Sequence, residues 1–335
     1  MMTKNRNEGV ERAAALGLTQ NAVVPECKLV GWRGWVLQGI ASGLWKNFAN
    51  FVVMKKGLVL EGGALRGMYT CGILDVMMES GITVDGAVGV SAGASFGINM
   101  KSRQPGRALR YSQRFARDKR YCSLRSLLLT GNLYHARFCY HTVPMEFDAF
   151  DFDTFFASPM RFYTVCTDVV TGTPVYHLME REDPDKTLEW IRASASMPIV
   201  STVVDLDGRK LLDGGMTDSI PLKFLESKGY DRNIVILTQP DGYVKRPFRL
   251  NALVRMRHHS YPRLARAMAE RYKMYNAQTA YVKQQEQAGR VLVFRPEEKL
   301  EISRVSHAPD AMWRVYSHGR RQALSRIEEM REFLR

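Results

Sequence analysis

Cysteine is sparse in this chain, and its residues stand apart. Cys27, Cys71, Cys122, Cys139 and Cys166 are scattered over 335 residues. No pair has the close spacing of a zinc cluster or the density of a disulfide framework, and the pattern suits a reducing compartment. Acidic residues are also short: 34 Asp and Glu stand against 48 Lys and Arg, a net charge of +14. Such a balance selects anionic partners, whether nucleic acid, acidic lipid surfaces or phosphorylated substrates. A nucleic-acid role finds no zinc pattern, RNP-like sequence or other recognised motif to carry it. Internal repeats, low-complexity tracts and a convincing linker are missing as well, which excludes repeat and linker-joined architectures.

Long hydrophobic runs are missing too. The first 28 residues are mixed and polar, without the basic-then-apolar order of a secretory signal. From Leu29 to Val53 the chain is apolar and carries Trp32, Trp35 and Trp45, but Arg33 and Lys46 interrupt it. The unbroken span Gly34–Trp45 is shorter than the ~20 residues a membrane helix needs. The tryptophans would suit a membrane interface. However, "MKKGLVLEGG" from Met54 reads as a natural start leading straight into a strand. Residues 1–53 are therefore expected to be either a dispensable extension or upstream sequence included by a start-site choice, and the protein to be cytoplasmic, alone or peripheral at the membrane.

What is present is an ordinary globular composition, 45% hydrophobic and 24% charged, enough for a sizeable core. "KGLVLEGG" predicts a short buried strand ending in glycines, and "MYTCGILDVMMESG" a helix stopped by Gly81. "VDGAVGV" is a second strand, and "AGASFGINMKS" a helix of small residues. This is the opening of a parallel α/β domain. A basic helix over Arg107–Arg120 and an irregular aromatic stretch "VPMEFDAFDFDTFFASP" follow. Two hairpins are expected, turning at Thr171-Gly172 and Asp207-Gly208, on either side of a helix "TLEWIRASASMP". A helix "IPLKFLESKGY" with an early proline, a strand "NIVILTQP", a basic helical tail, a strand "RVLVFRP" and a charged helix from Ala308 complete the chain.

Ser91 directly follows the second strand, in Gly89-Val90-Ser91-Ala92-Gly93. A serine hydroxyl is a weak nucleophile until a base takes its proton and donors hold the oxyanion formed on attack. Glycines on both sides permit the sharp strand-to-helix turn that exposes the hydroxyl, and the helix from Ala92 aims its amides and dipole at the same point. "EGGALRG" also links a strand to a helix. Amides at Gly63 and Ala64 could donate to an oxyanion, with Arg66 fixing the loop. A phosphate loop would need a G-K-[ST] ending or G-x-G-x-x-G spacing, and neither is there. "LLDGGMTDSIP" ends a strand at Asp213, followed by Gly214 and Gly215. Alone this is a common turn; beside the other two motifs, Asp213 is a candidate base. The aspartates Asp148, Asp151 and Asp153 lack the spacing of a calcium loop and are expected in a solvated loop.

Taken in order, "EGGALRG", "GVSAG" and "DGG" resemble the patatin-like phospholipases, acyl hydrolases with a serine–aspartate dyad. The resemblance spans about Gly57 to Asp241, and "RASASMP" and "LDGGMTDSIP" look like the family's bacterial members. It implies a three-layer α/β/α fold with a mainly parallel central sheet and a basic helical C-terminal region. Residues 54–242 would be the catalytic core and 243–335 a region packed on it. By position, Ser91 is the nucleophile, Asp213 the base, and the loop Gly62, Gly63, Ala64, Arg66 and Gly67 the oxyanion hole; the family usually has glycine where this chain has Ala64. The substrate would be a fatty-acyl ester of a lipid, cleaved through an acyl-enzyme without metal or other cofactor. The later histidines His258, His259, His307 and His318 would then be spectators. The alternative is a non-catalytic lipid- or partner-binding protein retaining the fold. Finally, Lys245–Lys273 holds nine basic residues against one acid, Glu270, with Leu250, Leu253, Val254, Leu264, Met268 and Tyr272 near helical spacing. That segment either packs on the core with its charges solvated or touches an anionic membrane surface.

Overall fold

The structure is a computed structural model and describes residues 54–303 and 305–335. The expectations for residues 1–53, a dispensable extension with interfacial tryptophans, lie outside the described residues. In chain order the elements are β1 (Lys55–Leu60), α1 (Met68–Glu79), β2 (Gly86–Val90), α2 (Ala92–Lys101), α3 (Arg107–Arg114) and α4 (Leu124–Thr130). A π-helical segment (Phe138–Phe147) and α5 (Phe152–Ala157) lead to β3 (Arg161–Asp168), β4 (Thr173–Leu178), α6 (Pro184–Ser194), β5 (Val204–Leu206) and β6 (Arg209–Asp213). Then come α7 (Leu222–Ser227), β7 (Tyr230–Ile236), α8 (Asn251–Arg257), α9 (Pro262–Gln287), β8 (Val291–Phe294), α10 (Pro309–Ser325) and α11 (Ile327–Phe333).

The strands form one sheet in the order β5-β6-β3-β2-β1-β7-β8, with β4 also paired to β3. The β3-β2-β1-β7-β8 part is parallel, and β4, β5 and β6 are antiparallel additions. β2 is buried along its whole length, and β1 and β7 over their last four residues, because both faces of the sheet are covered there. Alternation sorts their side chains into two cores. Leu58, Leu60, Ala87, Ile234 and Phe294 face one way, with residues of α1, α2, α6 and α10. Val59, Val88, Val90, Val235 and Val293 face the other, with Leu225 of α7 and Tyr275 and Val282 of α9. This is the three-layer α/β/α architecture. A third small cluster joins Leu212 and Met216 to Val254 of α8 and Leu264 and Met268 of α9.

Several local expectations are corrected. The basic helix ends at Arg114 rather than Arg120, where Phe115 turns into an aromatic cluster with Tyr121, Phe138 and Phe147. Helix α4 went unread from sequence. It is nonetheless well bounded, with Ser123 Oγ accepting from Ser126 N–H and Gly131 closing it at φ 73. The aromatic stretch expected to be irregular holds the end of the π-helical segment and all of α5. Pro144 lies inside the π-helix, so the ordinary helical period was unreadable. The Asp148 carboxylate is not solvated: its side chain is 7% exposed and accepts two hydrogen bonds from Arg110. Asp151 caps α5 by accepting from Thr154 N–H. Helix α6 starts earlier than expected, with Pro184 in its first turn and Asp183 as cap, and stops at Ser194.

Candidate active site

Sheet register brings the key residues together. Parallel β2 runs along β3 until Val90 pairs with Val165. Antiparallel β6 approaches along the same edge of β3 from the other end, and its last residue, Asp213, pairs with Cys166. The opposite edge of β3 is occupied by β4 over the same residues. The ends of β2 and β6 therefore abut, with Ser91 the next residue of one chain and Asp213 the last of the other.

Ser91 sits on a strained turn, at φ 53 and ψ −120. A non-glycine residue in this region costs roughly 1–3 kcal/mol and persists only when its surroundings hold it there. One such holder is Ser194 at the end of α6. Its Oγ accepts from Ser91 N–H at 2.9 Å and donates to Val165 C=O at 2.6 Å. That single hydroxyl splices the turn onto β3 where the regular ladder stops. Behind the serine, α2 begins at Ala92, and Gly93 lets its first turn pass the end of β1: a Cβ there would lie 2.3 Å from Leu60 C=O. Gly89 likewise lies against the backbone of Gly93 and Ala94.

The first glycine loop lies directly over the serine. A Cβ on Gly62 would be 2.9 Å from both Ser91 Cβ and Val90 C=O. Among the described residues, the amides of Gly62, Gly63 and Ala64 make no hydrogen bond, so they remain available as donors. Ala64 adopts φ 51, the left-handed region that favours glycine. Gly63 lies beside Thr238 and the Arg66 guanidinium, and Gly67 against Phe96. The loop is pinned from beneath by Glu61, 3% exposed. Its carboxylate accepts from Tyr275 O–H of α9 at 2.8 Å and from Thr238 N–H, while Thr238 Oγ1 donates to Gly62 C=O at 3.1 Å.

Asp213 is 6% exposed. Its Oδ1 accepts from Gly215 N–H at 2.8 Å, its N–H donates to Ser196 C=O, and its C=O accepts from Thr167 Oγ1. Gly214 packs on the β3 backbone at Val165, and Gly215 faces both Asp213 Oδ1 and Arg271 of α9. Ser91, Asp213 and the loop from Gly62 to Arg66 open on one cavity of about 990 Å³. Its walls mix apolar residues such as Phe96, Ile98, Leu133, Val143, Ile191 and Ile199 with seven cationic side chains and two acids. Residues after 242 supply part of it, including Tyr243–Leu250, Met268, Arg271 and Tyr272.

No histidine lines this cavity among the described residues. His258 is buried with Nε2 2.6 Å from Pro198 C=O, His307 Nδ1 contacts Ala116 C=O, His318 packs edge-on to Tyr69, and His259 is exposed near Ser260. Ser194 and Glu61 were not singled out from sequence. Ser194 does fall within "RASASMP", but as one of two serines in a helix terminus it gives no periodic signal.

A family model described as patatin-like phospholipase matches residues 58–225, the stretch containing the glycine loop, Ser91 and Asp213. The chain belongs to the patatin-like phospholipase family. A second model, a domain of unknown function (DUF6363), matches residues 261–335, from the start of α9 to the end of the chain. The Escherichia coli protein YjjU, itself uncharacterised, is 30% identical over 189 residues, covering 55% of this chain and 52% of YjjU. Lysophospholipase nte1 of Aspergillus oryzae is 27% identical over 186 residues, 52% of this chain but 11% of that protein. The chain thus spans about half the length of one curated relative and about a tenth of the other. Among solved structures, VipD from Legionella pneumophila aligns over 82% of this chain and 67% of its own, at 12% identity and a TM-score of 0.41.

Proposed function

We propose that this patatin-like protein is a serine acyl hydrolase that cleaves fatty-acyl esters of lipids through a Ser91–Asp213 dyad. The observation that carries this reading is the abutment of β2 and β6 on one edge of β3, which sets a serine on a strained turn against a buried carboxylate. In the first step Asp213 accepts the hydroxyl proton as Ser91 Oγ attacks the ester carbonyl carbon. The carbonyl electrons move onto oxygen, and the amides of Gly62, Gly63 and Ala64 together with the first turn of α2 hold the charge. Collapse breaks the ester C–O bond, and Asp213 returns the proton to the departing alcohol. Water then attacks the acyl-enzyme, again losing its proton to Asp213, and the fatty acid leaves with Ser91 restored. The reaction balances with water as the only co-reactant.

The apolar part of the cavity suits an acyl chain, and its volume is at the upper end of small-molecule sites. The named activity of the Aspergillus relative makes a lysophospholipid the first substrate to try. We assign the catalytic groups to residues 54–242, with 243–335 packed against them as cavity wall and buttress. A cytoplasmic protein working at a membrane surface agrees with the unpaired cysteines Cys71, Cys122, Cys139 and Cys166.

The test is hydrolysis of a short-chain p-nitrophenyl ester, paired with labelling by a serine-directed fluorophosphonate. Ser91→Ala is expected to fold like wild type, to lose at least about 10³-fold in turnover, and to escape labelling. Wild-type turnover by that variant would overturn the assignment.

A further inference from the structure

Two short helices flank the cavity and expose apolar side chains that nothing in the fold requires. On α4, Leu124, Leu128 and Leu129 point outward with Arg125, at the i, i+4 spacing of one helix face, while Ser126 is buried. Leu128 is 86% exposed. On the other side, Val244, Leu250, Leu253 and Met256 point outward from α8 and the loop before it, while Val254 anchors the helix in the small core. Met256 is 73% exposed.

The two helices are tied to the same strip of cavity wall. Leu133 N–H, just after α4, donates to Val200 C=O, and Asn132 Oδ1 accepts from Thr202 N–H at 2.9 Å. From α8, Arg257 donates to Ser201 C=O, and the next residue, His258, contacts Pro198 C=O. Residues 197–201 line the cavity, as do Asn132, Leu133 and 243–250. The exposed leucines and Met256 therefore stand on helices bonded to the wall of the cavity that holds Ser91.

The charge of this face has one sign. Residues 123–138 and 243–260 contain no Asp or Glu, but they hold Arg125, Arg137, Lys245, Arg246, Arg249, Arg255 and Arg257. We propose that this face is where the protein docks on an anionic bilayer, with the apolar side chains entering the acyl region and the cations meeting lipid phosphates. For the substrate so delivered, the proposal rests on the acyl-hydrolase reading; for the surface it does not. Charge complementarity selects the occupant. A two-fold dimer through this face would set its cations against their own copies, which repels. An anionic lipid surface attracts each of them, and interleaved leucine and arginine is the pattern of an interfacial helix. The basic segment Lys245–Lys273 read from sequence thus divides in function. Its first half faces outward beside the cavity, while Leu264 and Met268 of its second half pack inward.

The test is flotation of the full chain with phosphatidylcholine vesicles and with vesicles of equal phosphatidylcholine and phosphatidylglycerol, at low and high salt. Binding is expected to the anionic vesicles, weakened by salt, and to be slight on the neutral ones. Leu128→Glu, Met256→Glu and Arg255→Glu each replace a side chain outside the cavity. Each is expected to weaken vesicle binding about tenfold, to slow hydrolysis of vesicle lipid, and to leave turnover of a soluble ester unchanged. Undiminished binding by all three variants, or equal salt-independent binding to both vesicles, overturns the proposal. A chain that self-associates in solution and becomes monomeric in these variants, with vesicle binding intact, overturns it in favour of a second copy. Vesicle binding lost in the variants by a protein that cleaves no ester would keep the docking face and remove the hydrolase reading; ester cleavage without vesicle binding would do the reverse.

Discussion

Val90 and Asp213 end two strands that run toward each other along one edge of β3, opposite the consecutive residues Val165 and Cys166. The closeness of residues 91 and 213 along the chain ends therefore depends on two hydrogen-bonded registers rather than on loop conformation. Asparagine at position 213 keeps the strand and the Gly215 contact but cannot accept a proton. Asp213→Asn is expected to melt like wild type and to lose at least about 100-fold in kcat. Replacing His258, His259, His307 or His318 singly should leave turnover in place, although His258→Ala is expected to lower stability by removing a buried contact. A dead but well-folded variant at any of these four would point to a histidine base.

Ser194 offers a sharper probe of the strained turn. Ser194→Ala leaves both Ser91 N–H and Val165 C=O without their partner in a largely buried place, at a cost of about 1–3 kcal/mol. The expected outcome is a lower Tm together with a kcat reduced more than KM is raised, because the cavity stays intact while the turn that carries Ser91 loosens. Unchanged kcat would mean that the turn is held by its backbone alone.

Ala64 occupies a conformation that glycine adopts freely, at φ 51. The left-handed region costs an L-residue about 1 kcal/mol, partly offset by the entropy glycine loses on folding. Ala64→Gly is expected to keep esterase activity and to hold or raise the Tm. Ala64→Val, β-branched at positive φ, should lower both. Thermal melts and ester turnover of the pair check this directly.

A polar cluster ties the π-helical wall of the cavity to α6, and its strength should vary with pH. His141 bridges Asp185 and Glu189, and Arg192 also holds Glu189. Burial pushes the Glu189 carboxyl up, but the His141 and Arg192 hydrogen bonds outweigh it and bring it down to about 2. The Glu189 hydrogen bond, against the pull of burial, raises His141 above its usual 6.5. A depressed carboxylate stabilises the fold above its unfolded value near 4.5, and a raised imidazole does so fully below 6.5. Both contributions are complete only between these values. The Tm difference between wild type and His141→Gln should therefore peak near pH 4.5–6.5. It should shrink in acid as Glu189 protonates, and in base as His141 loses its proton.

A chain begun at Met54 is expected to fold and to cleave soluble esters, because β1 starts at Lys55 and pairs on both sides within the described residues. Aggregation of that shortened chain would show that residues 1–53 are needed.

What could be read from sequence were the places where chemistry and backbone geometry coincide. Apolar β1 and β2 each end in glycine-flanked turns, and only a few local structures accommodate that pattern. Asp213 was legible as a strand end, but its nearness to Ser91 was not, because it arises from the shared edge of β3, a pairing between residues far apart in the chain. Helix α4 was invisible for a different reason: "LRSLLLT" presents its leucines to solvent, which inverts the usual rule for a core helix. The π-helical segment hid behind Pro144 and a period that is not 3.6. Ser194 acts through one hydroxyl, and no pattern announces that.

The hairpin that delivers Asp213 also sets where this chain can change length. Its turn, Asp207 at φ 50 and Gly208 at φ 70, stands in the open, with nothing near a Cβ on Gly208. Residues added there extend a solvent-facing tip and leave the strand beyond untouched. A single residue added between Lys210 and Asp213 is another matter. Side chains alternate along a strand, so one extra residue sends the carboxylate to the opposite face of the sheet. Over the divergence of such chains, insertions and deletions should accumulate at the hairpin tip and be purged from the four residues before the aspartate.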